Sequence, residues 1–385
     1  MRYQSFSSVN TDGFRAGSEI GDALQAIAPE VVLLFASVTY QDQFTDLFAG
    51  LYGALRPTKP LIFGGTSDGV YERARVAHHG VCALGINSQG TVRWTTALQR
   101  GVGADSYAAA RACTLLASRQ LEGPVDFAFT FADGVKADGS QIVEGTSSVL
   151  GIPFLGGLAG DDRKFERSWI LVNGEACQDA VGILAASGPL PFVVNAASGW
   201  TPVGDVGLIE QCYGSQIQRI SGMTPLVFMR EQVGKTPSAT DLGIMPLATY
   251  DPDASGRFYL RTPSRMEPTT GAVTMFGSVQ KNASVRVCTA SVQNVLCGVD
   301  DAMKGVANAP FTPAAALVVS CAGRRWLLED RSAEEVQRVF AAIGREIPLA
   351  GMPSFGEISP FRKENGTYTP TYFHNTTFVV CLFGT

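Results

Sequence analysis

Charged side chains make up only 17% of this 385-residue chain, and histidine occurs three times. No run of Lys and Arg occurs, and no basic patch is interleaved with aromatics. With a formal charge of −5 and a pI near 5.4, the chain offers no basic surface to a phosphate backbone, so nucleic acid is not an expected partner. No apolar stretch approaches the ~18 to 20 residues that cross a bilayer. The opening Met1-Arg-Tyr-Gln-Ser-Phe-Ser-Ser also lacks the apolar core of a signal peptide. The expectation is a cytoplasmic protein without membrane insertion. Eight cysteines show no C-x-x-C spacing, which argues against a structural zinc or a disulfide framework. Most sit in apolar stretches, where a reduced Cys acts as a small hydrophobe.

What is present is an apolar fraction of 45%, enough for a large core in two or three domains, and a repeat. A Pro, an apolar stretch, a turn of small residues and a carboxylate recur as Pro60-Leu-Ile-Phe-Gly-Gly-Thr-Ser-Asp68, Pro153-Phe-Leu-Gly-Gly-Leu-Ala-Gly-Asp161, Pro246-Leu-Ala-Thr-Tyr-Asp251 and Pro348-Leu-Ala-Gly-Met-Pro-Ser-Phe-Gly-Glu357. These prolines are 93, 93 and 102 residues apart. A helical pattern precedes each. In three copies an apolar strand precedes that helix (Val31 to Ser37, Phe127 to Asp133, Ala316 to Gly323), and the copy at Pro246 rests on the shortest match.

The units read as β-α-β-β. Phe44, Leu47, Phe48, Leu51 and Leu55 recur at helical spacing up to Pro57. Ser332 with Glu335 reads as a capping box, with Gly344 as C-cap. Strands rather than helices follow each turn, so the sheets must be mixed. The expected fold class is α/β in its mixed α+β form: repeated β-α-β-β units whose mixed sheets form a layered α-β-β-α arrangement, in two pseudo-symmetric domains. The boundary is expected near Gly199-Trp-Thr-Pro-Val-Gly204, giving domains 1–200 and 201–385.

Several turns could carry chemistry. Gly65-Thr-Ser67-Asp-Gly69 fits G-x-S-x-G, but a nucleophile elbow needs a helix next and Val70 to Val76 reads as a strand. Asp161-Asp162 lacks a third acid or a His at ligand spacing. Cys321-Ala-Gly-Arg324-Arg325 puts a thiol beside two guanidinium groups. It is either an anion clamp or a buried Cys with Arg324 paired to Glu329 or Asp330. Glu357 and His374 fall on the turn and returning strand of one unit and can face one pocket.

Taken in order, Gly156-Gly-Leu-Ala-Gly-Asp-Asp162, Asn173-Gly174, Trp200-Thr-Pro-Val-Gly204, Gly222-Met-Thr-Pro-Leu226, Cys321-Ala-Gly-Arg324, Gly356-Glu-Ile358 and His374-Asn-Thr-Thr377 resemble the landmarks of the FIST domain family over nearly the whole chain. The resemblance implies a sensory module of bacterial signalling that binds a small ligand. In the family that ligand is amino acid-like or, in the NosP group that senses nitric oxide, haem. It implies ligand-binding positions at Gly65, Ser67, Asp161, Cys321, Arg324, Glu357, His374 and Asn375, with His79 and His374 as candidate haem ligands. It also implies a separate partner such as a histidine kinase or a cyclic-dinucleotide enzyme. The alternative is a hydrolase or transferase with Ser67 or Cys321 as nucleophile.

Overall fold

The computed structural model describes residues 1–238, 241–250 and 257–385. The chain opens with β1 (Arg2–Ser8), α1 (Gly13–Leu24), β2 (Val31–Ser37), α2 (Phe44–Ala54), β3 (Leu61–Ser67), the hairpin β4 (Val70–Glu72) and β5 (Arg75–Ala77), and β6 (Val81–Asn87). The same series follows as β7 (Arg93–Arg100), α3 (Ser106–Gln120), β8 (Phe127–Asp133), α4 (Gly139–Ser147), β9 (Leu155–Ala159), the hairpin β10 (Ile170–Val172) and β11 (Glu175–Cys177), and β12 (Ala180–Ser187). β13 (Phe192–Ala197) begins it a third time. The chain then departs into β14 (Thr201–Tyr213), β15 (Gln216–Ile220), α5 (Pro225–Val233), β16 (Leu247–Tyr250), β17 (Phe258–Arg261), β18 (Pro263–Met266), β19 (Val273–Met275) and β20 (Ser284–Thr289). It resumes with α6 (Val292–Val306), β21 (Pro313–Cys321), α7 (Ala322–Leu328), α8 (Ala333–Ile343), β22 (Leu349–Ser354), the hairpin β23 (Glu357–Ser359) and β24 (Tyr372–His374), and β25 (Phe378–Gly384).

Three six-stranded sheets share one strand order: β1-β6-β2-β3-β10-β11, β7-β12-β8-β9-β23-β24 and β13-β25-β21-β22-β4-β5. Each is mixed, with a single parallel pair (β2/β3, β8/β9, β21/β22) formed by a strand–helix–strand crossover. Each hairpin leaves its own unit: β4/β5 extends the third sheet, β10/β11 the first and β23/β24 the second. This exchange interlocks the sheets.

Alternation along the strands explains the layers. Val31, Leu33 and Phe35, with Phe127, Phe129 and Phe131 and with Ala315, Leu317 and Val319, point to a shared central core. Val32 and Leu34 point outward under α1 and α2, where Ile20, Leu47 and Leu51 cover them. The other two sheets carry their helices in the same way, Ala110 and Ile142 over the second and Val299 and Val336 over the third. This is the expected α-β-β-α layering of mixed sheets, with three sheets closing on the core. Phe35 meets Phe129 and Phe131 edge-on at 6.3 and 6.0 Å. Truncating any of these rings to Ala costs ~3–5 kcal/mol.

The fourth sheet, β17-β16-β20-β14-β15-β19-β18, is antiparallel throughout. The strands after Pro60, Pro153 and Pro348 pair in parallel with the strand before their helix, whereas β16, after Pro246, pairs antiparallel with β17 and β20. Among the described residues this copy has no strand placed to form a parallel crossover. Its Asp251 lies outside the described residues.

The capping box at Ser332 is also absent. Ser332 Oγ donates to Glu329 O, and Glu335 turns into the core instead of toward the helix N-terminus. Gly344 does end that helix, at φ 78° with its N–H on Phe340 O. No helix among the described residues is long and apolar enough to cross a membrane.

Candidate functional site

The parallel strands of all three sheets end on one side of the body, and their turns are bonded to one another. Asp68 N donates to Pro353 O, Gly160 N to Thr66 O, Phe355 N to Leu158 O and Leu158 N to Gly356 O. Asp68, Asp161 and Glu357 stand on these turns, each almost completely buried, and each has a different task.

Asp161 organises its own loop, accepting from Phe165 N (2.8 Å) at Oδ1 and from Glu166 N (2.7 Å) and Arg167 N (3.0 Å) at Oδ2. Within that loop Asp162, Arg163 and Phe165 adopt left-handed φ of 59°, 64° and 53°. These conformations are unfavourable for non-glycine residues and persist where surrounding bonds fix them. Asp68 accepts from Asp162 N (2.7 Å) and, at 3.3 Å, from Trp326 Nε1. Burial raises its carboxyl to about 7 despite the nearby Arg325. Glu357 accepts from Ser354 Oγ (2.9 Å) and Thr377 N (3.0 Å), shares a hydrogen bond with the Cys321 thiol, and is raised to about 8 by burial. The Cys321 thiol is pushed well up by burial and by Glu357.

Above Cys321 and Glu357 lies a cavity of about 20 Å³ bordered by Cys321, Ser354, Phe355, Thr262 and Asn375. Phe165, Phe276, Trp326 and Gly243 separate it from, and also line, an outer cleft of about 620 Å³. The fourth sheet and the loop before it supply Thr262, Phe276 and Gly243, so the cleft lies where that sheet meets the three-sheet body. Gly243, at φ 82°, lets the chain pass against Trp326, which an added Cβ would meet at 2.9 Å. Asn375 Oδ1 accepts from Thr262 N at 3.0 Å. That contact fixes the amide orientation, because a backbone N–H can only donate. Asn375 Nδ2 and Thr262 Oγ1 are buried and have no partner among the described residues.

Of the residues singled out in the sequence, Cys321 and Asn375 border this cavity, and Glu357 lies beneath it. Ser67 is buried on the equivalent turn, its Oγ donating to Gly69 O (2.7 Å), so no base holds it. Gly65 packs against Trp169 O and the Phe131 ring. His374 is buried with Nε2 2.9 Å from Ser359 O, which can only accept, so Nε2 carries the proton. Burial lowers that ring to about 4. His79 lies on the exterior, 3.8 Å from Asp162, whereas His374 is buried. Among the described residues no group of three His, Cys, Asp or Glu is placed to hold a metal ion.

Arg324 requires a correction. It is completely buried and faces neither cavity nor surface: Nε donates to Glu335 Oε1 (2.8 Å), Nη1 to Ser198 O and Nη2 to Val295 O (2.8 Å). Its counter-charge is Glu335, not Glu329 or Asp330, and Glu335 is further bonded by Tyr71 and Ser320. Every guanidinium nitrogen has a protein partner, so a ligand carboxylate cannot take the fork. Sequence reasoning missed Phe165, Phe276, Trp326 and Thr262. Phe165 and Trp326 lie within six residues of motif positions, but nothing local marks Phe276 or Thr262, which the inserted sheet brings in.

Family models for the FIST N domain and the FIST C domain match residues 30–223 and 225–360. No curated protein sequence matches the chain significantly. Among solved structures, cyanuric acid hydrolase from A. caulinodans aligns over 100% of both chains at 8% identity with a TM-score of 0.37. PurLQS from Thermotoga maritima aligns with 99% of this chain and 72% of its own at 11% identity and a TM-score of 0.22. Likenesses this low say nothing about activity. The two family models together cover most of the sequence, and the chain belongs to the FIST family, whose domains are in general sensory and bind small ligands.

Proposed function

We propose that this protein is a cytoplasmic sensory module whose small ligand enters the cleft between the three-sheet body and the fourth sheet, and which passes the signal to a separate signalling protein. The observation that carries this reading is the unpaired Asn375 Nδ2 beside Cys321, buried at the base of an aromatic-walled cleft. An unsatisfied buried donor costs ~1–3 kcal/mol, a cost that a ligand acceptor, or a water it displaces, removes. The cleft also joins two differently built parts, so an occupant touching Phe276 on one side and Phe355 on the other biases their relative position. A kinase or cyclic-dinucleotide enzyme that binds across this junction would read the change.

An anion clamp at Arg324 is not part of this reading, because Arg324 is bonded elsewhere, and burial favours a neutral Glu357 carboxyl. Haem is not part of this reading either, because neither His374, which is buried, nor His79, which is exposed, lines the cleft or the small cavity. A hydrolase reading finds no base at Ser67, and its other nucleophile, Cys321, is a thiol held protonated. The test is a melting-temperature screen against small metabolites, combined with mass spectrometry of the denatured purified protein. A co-purifying or stabilising molecule is expected; a chain that carries none and is stabilised by none would overturn the sensory reading.

A further inference from the structure

Phe165 lies between two other rings. It stacks on Phe355 at 4.7 Å and 24°, and on Phe276 at 5.8 Å and 26°, with the Trp326 edge at 6.2 Å. Phe355 comes from the body and Phe276 from the fourth sheet, so the two outer rings form the walls of a slot that Phe165 fills. Phe165 is nevertheless 41% exposed, whereas Phe355 is 5% exposed. A ring stacked between two others and still open to solvent is held there by its loop, and that loop carries three left-handed residues fixed by the single carboxylate of Asp161.

The cavity below is far too small for a ring, yet large enough for one oxygen atom. Asn375 Nδ2 and Thr262 Oγ1 border it, without partners among the described residues. The unpartnered polar groups at the slot's base are thus an obligate donor and a hydroxyl, since the Ser354 hydroxyl and the Cys321 thiol that also border the cavity are bonded to Glu357. Among the described residues no cation lines the small cavity, since Arg324 is turned to Glu335, while Lys136, Asp138 and Arg163 line the outer cleft, with the Arg163 guanidinium 4.0 Å over the Trp326 ring.

Building on the sensory reading, we propose that the slot between Phe355 and Phe276 is the recognition site for a flat aromatic or heteroaromatic ring bearing an uncharged acceptor such as a carbonyl on its inner edge. The ring takes the place of Phe165, and the carbonyl oxygen enters the small cavity to accept from Asn375 Nδ2. Phe165 is then a resident competitor for the site. Two-sided stacking selects flatness. The orphaned donor selects the acceptor, because a ligand without one leaves the amide unpaired. Displacing Phe165 also releases the 161–168 loop, which would carry occupancy of the slot to the surface.

The probe is 4-fluorobenzamide, followed by fluorine NMR, with cyclohexanecarboxamide as a competitor that has the same amide on a puckered ring. Phe165→Ala, which removes a partly exposed ring, is expected to tighten 4-fluorobenzamide binding at least tenfold relative to the native chain. Cyclohexanecarboxamide should compete at least tenfold less well than benzamide. In the Phe165→Ala background, Asn375→Asp, assayed at alkaline pH so that the introduced carboxyl is ionised, keeps the acceptor for Thr262 N but removes the donor, and Phe276→Ala removes one wall. Each should weaken binding roughly tenfold while the melt stays cooperative. Unchanged or weaker binding on Phe165→Ala, equal competition by the puckered ring, or indifference to both second substitutions would overturn the proposal. If a metabolite stabilises the native chain and its affinity ignores Phe276→Ala and Asn375→Asp, the sensory reading stands and this one falls. If 4-fluorobenzamide behaves as expected while no metabolite stabilises the chain, the reverse holds.

Discussion

Replacing Glu357 by Gln should make the protein more stable in mildly alkaline solution, and the structure sets the sign and size. Glu357 is completely buried, and its carboxyl is raised from 4.5 to about 8 with burial as the leading cause. In the unfolded chain the same group titrates near its ordinary value. Between these limits the native state binds the proton more tightly than the unfolded state. The contribution of Glu357 is therefore fully present below about pH 4.5 and declines as pH rises through about 8. At about 1.4 kcal/mol per pH unit the ceiling is roughly 5 kcal/mol. Relaxation and water entry bring a realistic figure to on the order of 2 kcal/mol.

The amide of the Glu357→Gln variant reproduces the neutral acid. Its oxygen accepts from Thr377 N, and its NH2 donates to Ser354 Oγ, which in turn donates to Gly356 O, 3.1 Å away in the native protein. Urea unfolding of both proteins at half-unit steps from pH 5 to 9 isolates the effect, because all other titrating groups cancel in the difference. The native protein should lose stability relative to Glu357→Gln as pH rises, levelling above about pH 8. Parallel profiles would refute the assignment of a protonated carboxyl beside Cys321.

Three further outcomes follow from the same geometry. Arg324→Met should cost ~3–5 kcal/mol by leaving Glu335 buried without its cation, and the double variant Arg324→Met/Glu335→Leu should recover much of that in the same urea assay. Asp161→Ala should cost ~1–3 kcal/mol and, by freeing three amides, release Phe165 from its stack, read as a change in Trp326 emission that a Trp326→Phe control lacks. His374 is held neutral by burial, with its ring lowered from 6.5 to about 4, so it contributes stability above pH 6.5 that is lost as pH falls toward 4. His374→Gln should flatten that acid limb, measured against the native chain over pH 4 to 7.

Much of the layering was legible because strand alternation and helical spacing are local signals: Val31 to Ser37 and Phe44 to Leu55 became the strand and helix their patterns specify. Long-range placement was not legible. A hairpin such as Ile170–Val172 with Glu175–Cys177 reads the same whether it extends its own sheet or, as here, that of the preceding unit. The string at Pro246 imitates its counterparts over a few residues, yet among the described residues its strand pairs only antiparallel. Ser332 and Glu335 have the spacing of a capping box, but spacing cannot show that Arg324 is buried nearby and needs a carboxylate more than the helix end does. At the small cavity, Cys321 could be singled out as a thiol at a strand end beside two guanidinium groups, and Asn375 through the resemblance of His374-Asn-Thr-Thr377 to the FIST landmarks. Phe276 and Thr262 could not, because they belong to an inserted sheet whose docking is visible only in three dimensions.

The most direct test of the cleft as the sensory site is hydrogen–deuterium exchange of the native chain with and without a small molecule that raises its melting temperature. Protection concentrated on residues 262–277, 321–326 and 372–377, together with a change in the 161–168 loop, is the expected result. Protection confined to other surfaces, with these segments unchanged, would contradict it.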